Sequence, residues 1–529
     1  MGTYLNPGNS GFENIVAGQY VDKTGLIKII NNSLNTSDKL TCVSRPRRFG
    51  KSFAAKMLSA YYDKSCDSHN LFNGLSIAGD ESYEKYINKY NVVYLDITSF
   101  IFAAKSPDEI VDLIQDSVIR EIKENVPGTA DEQELISVFL TANKINNEKY
   151  IFIIDEWDAL FREFPQNNLL QKKYVDLLRG LFKNGSFTDK VVAGAYMTGI
   201  LPIKKYGTQS AVSDFLEYTM TSPGAFAGYI GFTEQEVKEL CDIHDVSFEE
   251  ARRWYDGYRF EKVGSVYNPN SLMTAIKKHS FSNYWGKTES YESIIPYIGM
   301  DFDGLKQDII TLLGSGYVLT DIDSYQNDMI TINNKDDVMT LLVHLGYLGY
   351  DSNNNSVYIP NEEARRELLR AVKNSNRSEV IKLINKSDEL LQYTLNGNET
   401  AVADILSQIH ETGVAPLYYN DEQSLRYVIR FAYLSAIDSY ERIEELPSGH
   451  GYADVVYLPK QGETKPALLI ELKWDKSSDG AIAQIHKNNY PRVLEQYGGN
   501  VILVGINYSE KTKQHTCVIE SHKKEDNQS

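Results

Sequence analysis

Two groups of residues in this 529-residue chain have the types and spacing for phosphate chemistry. The first is Arg45-Pro-Arg-Arg-Phe-Gly-Lys-Ser52, preceded by the β-branched run Leu40-Thr-Cys-Val43 and followed by the helix-like run Phe53–Tyr62. A strand, a tight loop ending in Gly-Lys-Ser and a helix together form a cradle for a nucleoside triphosphate. Backbone N–H groups and the helix N-terminus face the phosphates, the lysine neutralises their charge and the hydroxyl ligates Mg²⁺. The usual pattern, G-x-x-x-x-G-K-[ST], has glycine where this chain has Arg45. The proline after Arg45 biases it towards an extended backbone. Further along, Tyr150-Ile-Phe-Ile-Ile-Asp-Glu156 reads as a buried strand ending in two acids. There Asp155 would hold the Mg²⁺ water shell and Glu156 would polarise an attacking water. Thr198, after the apolar run Val191–Met197, would bring a hydroxyl to the γ-phosphate. Arg45, Arg47 and Arg48 each have two readings, phosphate contact or surface ion pair. Arg252-Arg253 reads as a sensor or finger on the same ligand, or as neither.

The second group lies near the C-terminus: Asp454, then Leu468-Leu-Ile-Glu471-Leu-Lys473, a pattern D-x(16)-E-x-K. The gap fits a hairpin whose loop is Pro459–Pro466. Strand alternation puts Glu471 and Lys473 on one face. With Asp454 on the adjoining strand, two carboxylates and an ammonium converge. That set suits metal-assisted phosphodiester hydrolysis, the acids fixing the ion and the lysine orienting water or stabilising charge. Hard oxygen ligands favour Mg²⁺ or Mn²⁺ over zinc. A surface hairpin with an ion pair is the competing reading. Leu468–Ile470 nevertheless looks buried, an expensive place for charge that has no use.

The elements that would position these groups alternate in type. Between 40 and 230, apolar strands at Leu40–Val43, Val92–Ile97, Tyr150–Ile154 and Val191–Met197 are interleaved with helices at 53–62, 107–126, 131–144 and 168–183. Continuous apolar strands between helices predict a parallel sheet covered on both faces. From 231 the pattern turns mostly helical. Thr233-Glu-Gln-Glu236 is a capping box, and Asp351–Ser356 is a hairpin turn. Residues 421–519 read as helix, three strands, helix, strand, strand.

Several motifs together resemble a microbial AAA-ATPase-like family whose members carry a C-terminal PD-(D/E)XK nuclease-like domain. They are Tyr20-Val-Asp-Lys-Thr24, Arg45–Ser52, Phe152–Glu156, Met197-Thr-Gly-Ile200, Trp254-Tyr-Asp-Gly-Tyr258, Tyr267-Asn-Pro269 and Ile359-Pro-Asn-Glu-Glu363. The resemblance spans nearly the whole chain, and the Arg-Pro-Arg-Arg-Phe-Gly-Lys-Ser form looks like that family's own loop. It implies an α/β chain with three parts. A P-loop AAA-ATPase-like domain covers 1–230, a mostly helical lid or relay region 231–404, and an α/β restriction-endonuclease-like domain 405–529. It implies ATP binding at Gly50, Lys51 and Ser52. Asp454, Glu471 and Lys473 become the metal and catalytic set, with Gln484 on the following helix. Glu422, Glu444 or Glu445 would be an accessory acid. Tyr452 stands where many relatives carry arginine. The function expected is a Mg²⁺- or Mn²⁺-dependent nuclease, acting on nucleic acid, most simply DNA, under control of an ATPase domain. The alternatives are a nucleotide-dependent switch whose nuclease-like domain binds without cutting, and an ATPase whose vestigial nuclease domain serves as a dimerisation module.

Composition bounds both readings. A net charge of −18 excludes nucleic-acid binding by overall charge, so a polyanion needs local cations or a bridging metal. Lys487, Arg492, Lys511 and Lys513 are candidate backbone contacts or a solvated face. Tyr61-Tyr62 and Tyr284-Trp285 are stacking platforms or core. The four cysteines lie far apart without metal-ligand spacing, as expected of a reducing cytosol. His450 and His486 neighbour the acidic group, and the nine histidines form no H-E-x-x-H. No basic, apolar leader stands at the start, and no apolar run reaches the ~18 residues of a membrane helix. A cytoplasmic protein is expected.

Overall fold

The computed structural model describes residues 2–203, 205–206, 209–210, 214–285, 291–300, 302–314, 316–325, 332–375, 378–410, 422–448, 451–460, 463–487 and 500–522. The chain divides into two compact units. One is Met1–Tyr291 with Leu319–Leu368, and the other is Glu292–Val318 with Leu369–Ser529.

The first unit is built on five parallel strands: β1 (Leu40–Ser44), β2 (Asn91–Asp96), β3 (Tyr150–Asp155), β4 (Val192–Gly199) and β5 (Leu216–Tyr218). Their order in the sheet is β2-β3-β4-β1-β5. Every residue of β1, β3 and β4 is buried, as strands covered on both faces require. Strand β4 lies between the strand that enters the Gly-Lys-Ser loop and the strand that ends in Asp155. It pairs Thr198 with Val43 on one side and with Asp155 on the other. Helix α1 (Ser10–Val16) packs on α2 (Lys51–Tyr62), the helix that follows the loop. Helices α3 (Ile110–Asn125), α4 (Leu135–Asn146) and α5 (Asn168–Phe182) contribute to the core on the sheet, where Phe139 stacks near Phe152 and Phe182 meets Phe152 edge-on. Glu121 of α3 receives the backbone N–H groups of Thr3, Tyr4 and Leu5 at 3.0, 2.9 and 2.7 Å. This fastens the N-terminal segment beside β2.

Beyond the sheet the chain is mostly helical, with α6 (Glu234–His244), α7 (Phe248–Tyr255), α8 (Pro269–Lys278), α9 (Lys335–Leu345) and α10 (Glu362–Lys373). The Thr233/Glu236 capping box forms as expected. A small sheet joins β6 (Phe232–Thr233), β7 (Tyr258–Phe260) and β8 (Gly264–Tyr267). The polar turn Asp351–Ser356 closes the hairpin of β9 (Gly349–Asp351) and β10 (Ser356–Tyr358). Gly257, at φ 108°, lies against Pro360, whose carbonyl oxygen would stand 2.0 Å from an added Cβ.

In the second unit, helices α11 (Ser378–Leu395) and α12 (Glu399–Ile409) precede α13 (Glu422–Ala432). A mixed sheet follows with order β11 (Tyr440–Ser448), β12 (Gly451–Pro459), β13 (Ala467–Trp474), β14 (Val501–Ser509) and β15 (Gln514–His522). Strands β13 and β14 are parallel and the other pairs antiparallel. A parallel neighbour requires a crossover, and α14 (Ser478–Lys487) supplies it while packing on β13 and β14. Helix α13 packs on β13. Among the described residues no helix is long and apolar enough to cross a membrane.

Candidate active sites

The loop before α2 turns through two left-handed residues, Arg48 at φ 69° and Gly50 at φ 93°. An added Cβ at Gly50 would meet nothing within 4 Å, so the backbone there is open to a ligand. Above it lies a cavity of about 750 Å³, lined at its floor by Arg47, Gly50, Lys51, Ser52 and Glu156. Its walls come from Ile15 and Tyr20 beside α1, Phe53 and Met57 of α2, Phe232, and Asn270, Met273 and Lys277 along one face of α8. Cations and a helix N-terminus at the floor with apolar walls beyond suit an anionic ligand that carries a ring.

The structure brings four of the candidate residues together. Asp155 accepts the Glu156 N–H at 3.1 Å and the Tyr94 hydroxyl at 3.4 Å, with the Ser52 hydroxyl nearby. Burial pushes the Asp155 carboxyl up to about 6, opposed by the neighbouring Ser52 hydroxyl and reinforced by the charge on Glu156. Lys51, 3% exposed, donates to the Pro46 carbonyl at 3.0 Å and stands 3.7 Å from Glu156. Glu156, at φ 52°, also receives Arg162 at 2.5 Å. Arg162 in turn holds Asp158 at 3.0 Å, and Asp158 accepts the N–H groups of Ile200 and Leu201 at 3.1 and 2.8 Å. Thr198 is fully buried beside Asp155, and neither residue is part of the cavity wall. A Ser hydroxyl beside a buried carboxylate, next to a lysine, is a donor set that fits a divalent cation next to phosphate.

Arg45 has neither of its expected roles. It is fully buried, donating to the carbonyls of Ser44 and Tyr218 at 2.9 and 3.1 Å, with its guanidinium 5.1 Å from the Phe260 ring centre. Burial lowers it to about 10. Its neighbours in the loop dock on the same module: Pro46 lies against Gly346, and the Phe49 ring meets Tyr258 edge-on at 5.1 Å. Tyr258 donates to the Gly346 carbonyl at 2.6 Å. Sequence reasoning missed this, because nothing in the spacing of 45, 258 and 346 announces contact. Arg252 and Arg253 are held by Asp256 and Glu250 at 3.8 and 2.9 Å. Tyr61, Tyr62, Tyr284 and Trp285 are core residues.

In the second unit, register pairs Val455 with Ile470, so Asp454 and Glu471 come side by side just past the last paired residues of β12 and β13. Asp454 Oδ2 accepts the Leu472 N–H at 2.9 Å. Lys473 donates to Glu471 and to the Leu472 carbonyl at 3.0 and 2.9 Å. Gln484 of α14 donates to the same Glu471 oxygen. Glu471 and Lys473 are 1% and 6% exposed, so both charges sit inside the fold. Two buried carboxylates with one ammonium form a hard-oxygen donor set that fits a Mg²⁺-type ion. No group of three or more acidic, histidine or cysteine ligands forms among the described residues.

One partner was not foreseen. Arg426 of α13 donates to Asp454 Oδ1 at 2.7 Å. The amphipathic pattern of α13 was legible, but not the direction of this side chain. Arg492 and His450 lie outside the described residues, as do the side chains of Glu422, Glu444, Glu445 and Tyr452. Lys487, Lys511 and Lys513 are exposed, and His486 pairs with Glu520 at 2.7 Å.

Residues 8–208 match the family described as Predicted AAA-ATPase, or AAA-ATPase-like. Residues 420–517 match the PD-(D/E)XK nuclease superfamily. Curated proteins give no match. Among solved structures, the chain is similar to the Aeropyrum pernix ORC2 protein in its ADPNP-ADP complexes, at 12% identity and TM-score 0.25. That match covers 66% of this chain and 92% of the other. It is similar also to AMPPCP-bound DnaA from Aquifex aeolicus, at 11% identity and TM-score 0.25, over 72% and 93% of the two chains. The chain thus joins an N-terminal segment that matches the AAA-ATPase-like family model to a C-terminal segment that matches the PD-(D/E)XK nuclease superfamily model.

Proposed function

We propose that this protein is an ATP-binding, Mg²⁺- or Mn²⁺-dependent nuclease in which nucleotide at the first unit controls phosphodiester cleavage of DNA at the second. The observation that carries the reading is the convergence of Asp454, Glu471 and Lys473 from two paired strands with Gln484 from the following helix. Asp454 and Glu471 would hold the cation. When bound, such an ion acidifies water and polarises the phosphate. Gln484 fixes the rotamer of Glu471, and Lys473 is placed to orient a nucleophile or to balance negative charge at the phosphate. In the first unit Arg47, Gly50 and Lys51 would take the phosphates of ATP, and Ser52 with Asp155 the Mg²⁺. Thr198 backs that pair from the neighbouring strand. The region 231–404 would act as lid and relay between 1–230 and 405–529. The expected location is the cytoplasm.

The test is cleavage of plasmid and single-stranded DNA with Mg²⁺ or Mn²⁺, with and without ATP. Wild type should cut, Glu471→Ala and Lys473→Ala should lose at least roughly a hundredfold, and ATP should change the rate. Equal cutting by wild type and both variants would end the nuclease reading.

One observation favours a second reading, a switch that binds nucleotide without turnover. Glu156, the residue that would activate water, is held by both Lys51 and Arg162. Tight ATP binding with phosphate release that Glu156→Gln leaves unchanged would select the switch. A large fall in release would select the ATPase.

A further inference from the structure

We propose that Arg426 is a displaceable counter-ion of the Asp454/Glu471 site. It neutralises Asp454 in the cation-free protein and passes to the phosphodiester once a divalent cation takes its place. The inference rests on the nuclease reading and assigns a further residue to it.

The two oxygens of Asp454 have different partners. Oδ2 is fixed by the backbone N–H of Leu472 at 2.9 Å, which sets the plane of the carboxylate. Oδ1 is then the oxygen with no backbone partner, left for a cation, and it is the one that Arg426 holds at 2.7 Å. Glu471, alongside, is held by Lys473 and Gln484. The formal charges of these four residues, Asp454, Glu471, Lys473 and Arg426, sum to zero.

A divalent cation upsets that balance. With both basic groups in place it would sit within a few ångströms of a guanidinium and an ammonium, a repulsion that grows as water is excluded. One of the two must give way. Lys473 belongs to the strand itself and is anchored a second time on the Leu472 carbonyl. Arg426 comes from α13, outside the strand pair, and its side chain is 20% exposed against 8% for that of Lys473. It can leave by rotating its own side chain, without disturbing β12 or β13. The phosphodiester that the cation brings is an anion it can take up, and the guanidinium fork matches a phosphate better than an ammonium does. A static ion pair joining α13 to β12 is the competing account, and it makes opposite predictions.

The experiment measures Mn²⁺ affinity by calorimetry, and DNA affinity in Ca²⁺, for wild type, Arg426→Met, Arg426→Lys and Asp454→Asn. Removing the competing charge should tighten Mn²⁺ binding in Arg426→Met by about tenfold or more, while DNA binding and Mn²⁺-dependent cleavage both fall. Arg426→Lys, which keeps the charge, should hold Mn²⁺ affinity near wild type and still lose DNA affinity; it also serves if the methionine variant does not fold. A static ion pair would instead leave Mn²⁺ affinity in Arg426→Met unchanged or weaker, with a lower melting temperature, and that result overturns the proposal. Mn²⁺ binding that is absent from wild type, or indifferent to Asp454→Asn, overturns the nuclease reading as well, so the two failures are distinguishable.

Discussion

Asp155 is under two opposing demands. To help Ser52 hold a cation its carboxyl must be ionised, yet burial has raised it from 3.8 to about 6. Because the folded value lies above the unfolded one, its stabilising contribution is complete below pH 3.8 and lost as pH rises through about 6. At pH 8 the ligand-free protein therefore carries the cost of an ionised buried acid, up to about 3 kcal/mol. Asp155→Asn should raise the melting temperature of the ligand-free protein at pH 8, lose that advantage near pH 4, and bind Mg²⁺-nucleotide far more weakly. Equal melting temperatures at pH 8 would mean that the carboxylate is better solvated than its burial indicates. The candidate residues were legible in the sequence because Gly-Lys-Ser, Asp-Glu and Glu-x-Lys are short motifs at strand or helix ends, where backbone geometry dictates side-chain direction. Arg45 and Arg426 were not. A long, flexible side chain reaches its partner through tertiary packing, and the sequence around it is silent about which way it turns.

At the scale of elements, the strands that declared themselves were those buried on both faces. Tyr150–Ile154 and Ala467–Ile470 are unbroken apolar runs that lead into Asp155 and Glu471. Leu216–Tyr218 completes the parallel sheet with only half-buried and exposed side chains, so it carries no apolar signal to read. The helix expected over 107–126 begins as a single 3₁₀ turn, Pro107–Glu109, and becomes α-helical at Ile110, since proline supplies a first turn but not an interior. The docking of the phosphate loop on β7 and the turn after α9 was illegible for a different reason: it joins elements far apart in the chain. It yields a prediction. Tyr258→Phe removes one buried hydrogen bond to the Gly346 carbonyl and should cost about 1–2 kcal/mol of stability. It should also weaken nucleotide binding several-fold, because Phe49 packs on the same ring. A lower melting temperature with unchanged nucleotide affinity would show that the module supports the fold without shaping the loop.

Across the whole molecule, two compact units with separate candidate sites predict two calorimetric transitions. Mg²⁺-ATP should raise one of them and leave the other in place, the shift growing with the logarithm of ligand concentration. Mn²⁺ without nucleotide should raise the second, an effect that Asp454→Asn abolishes. A single transition that both ligands shift together would mean that the units unfold as one. The buried guanidinium of Arg45 has a practical consequence. Its carbonyl and aromatic neighbours come from Tyr218 and Phe260, and the loop beside it leans on Gly346. A shortened polypeptide ending at residue 230 would contain every residue of the phosphate loop and still strip that arginine of Phe260 and the loop of its support. Such a fragment should be insoluble or nucleotide-blind even with an intact Gly-Lys-Ser, whereas one that keeps residues up to 368 should retain binding. Where the gene is cut thus decides whether the first site can be studied alone.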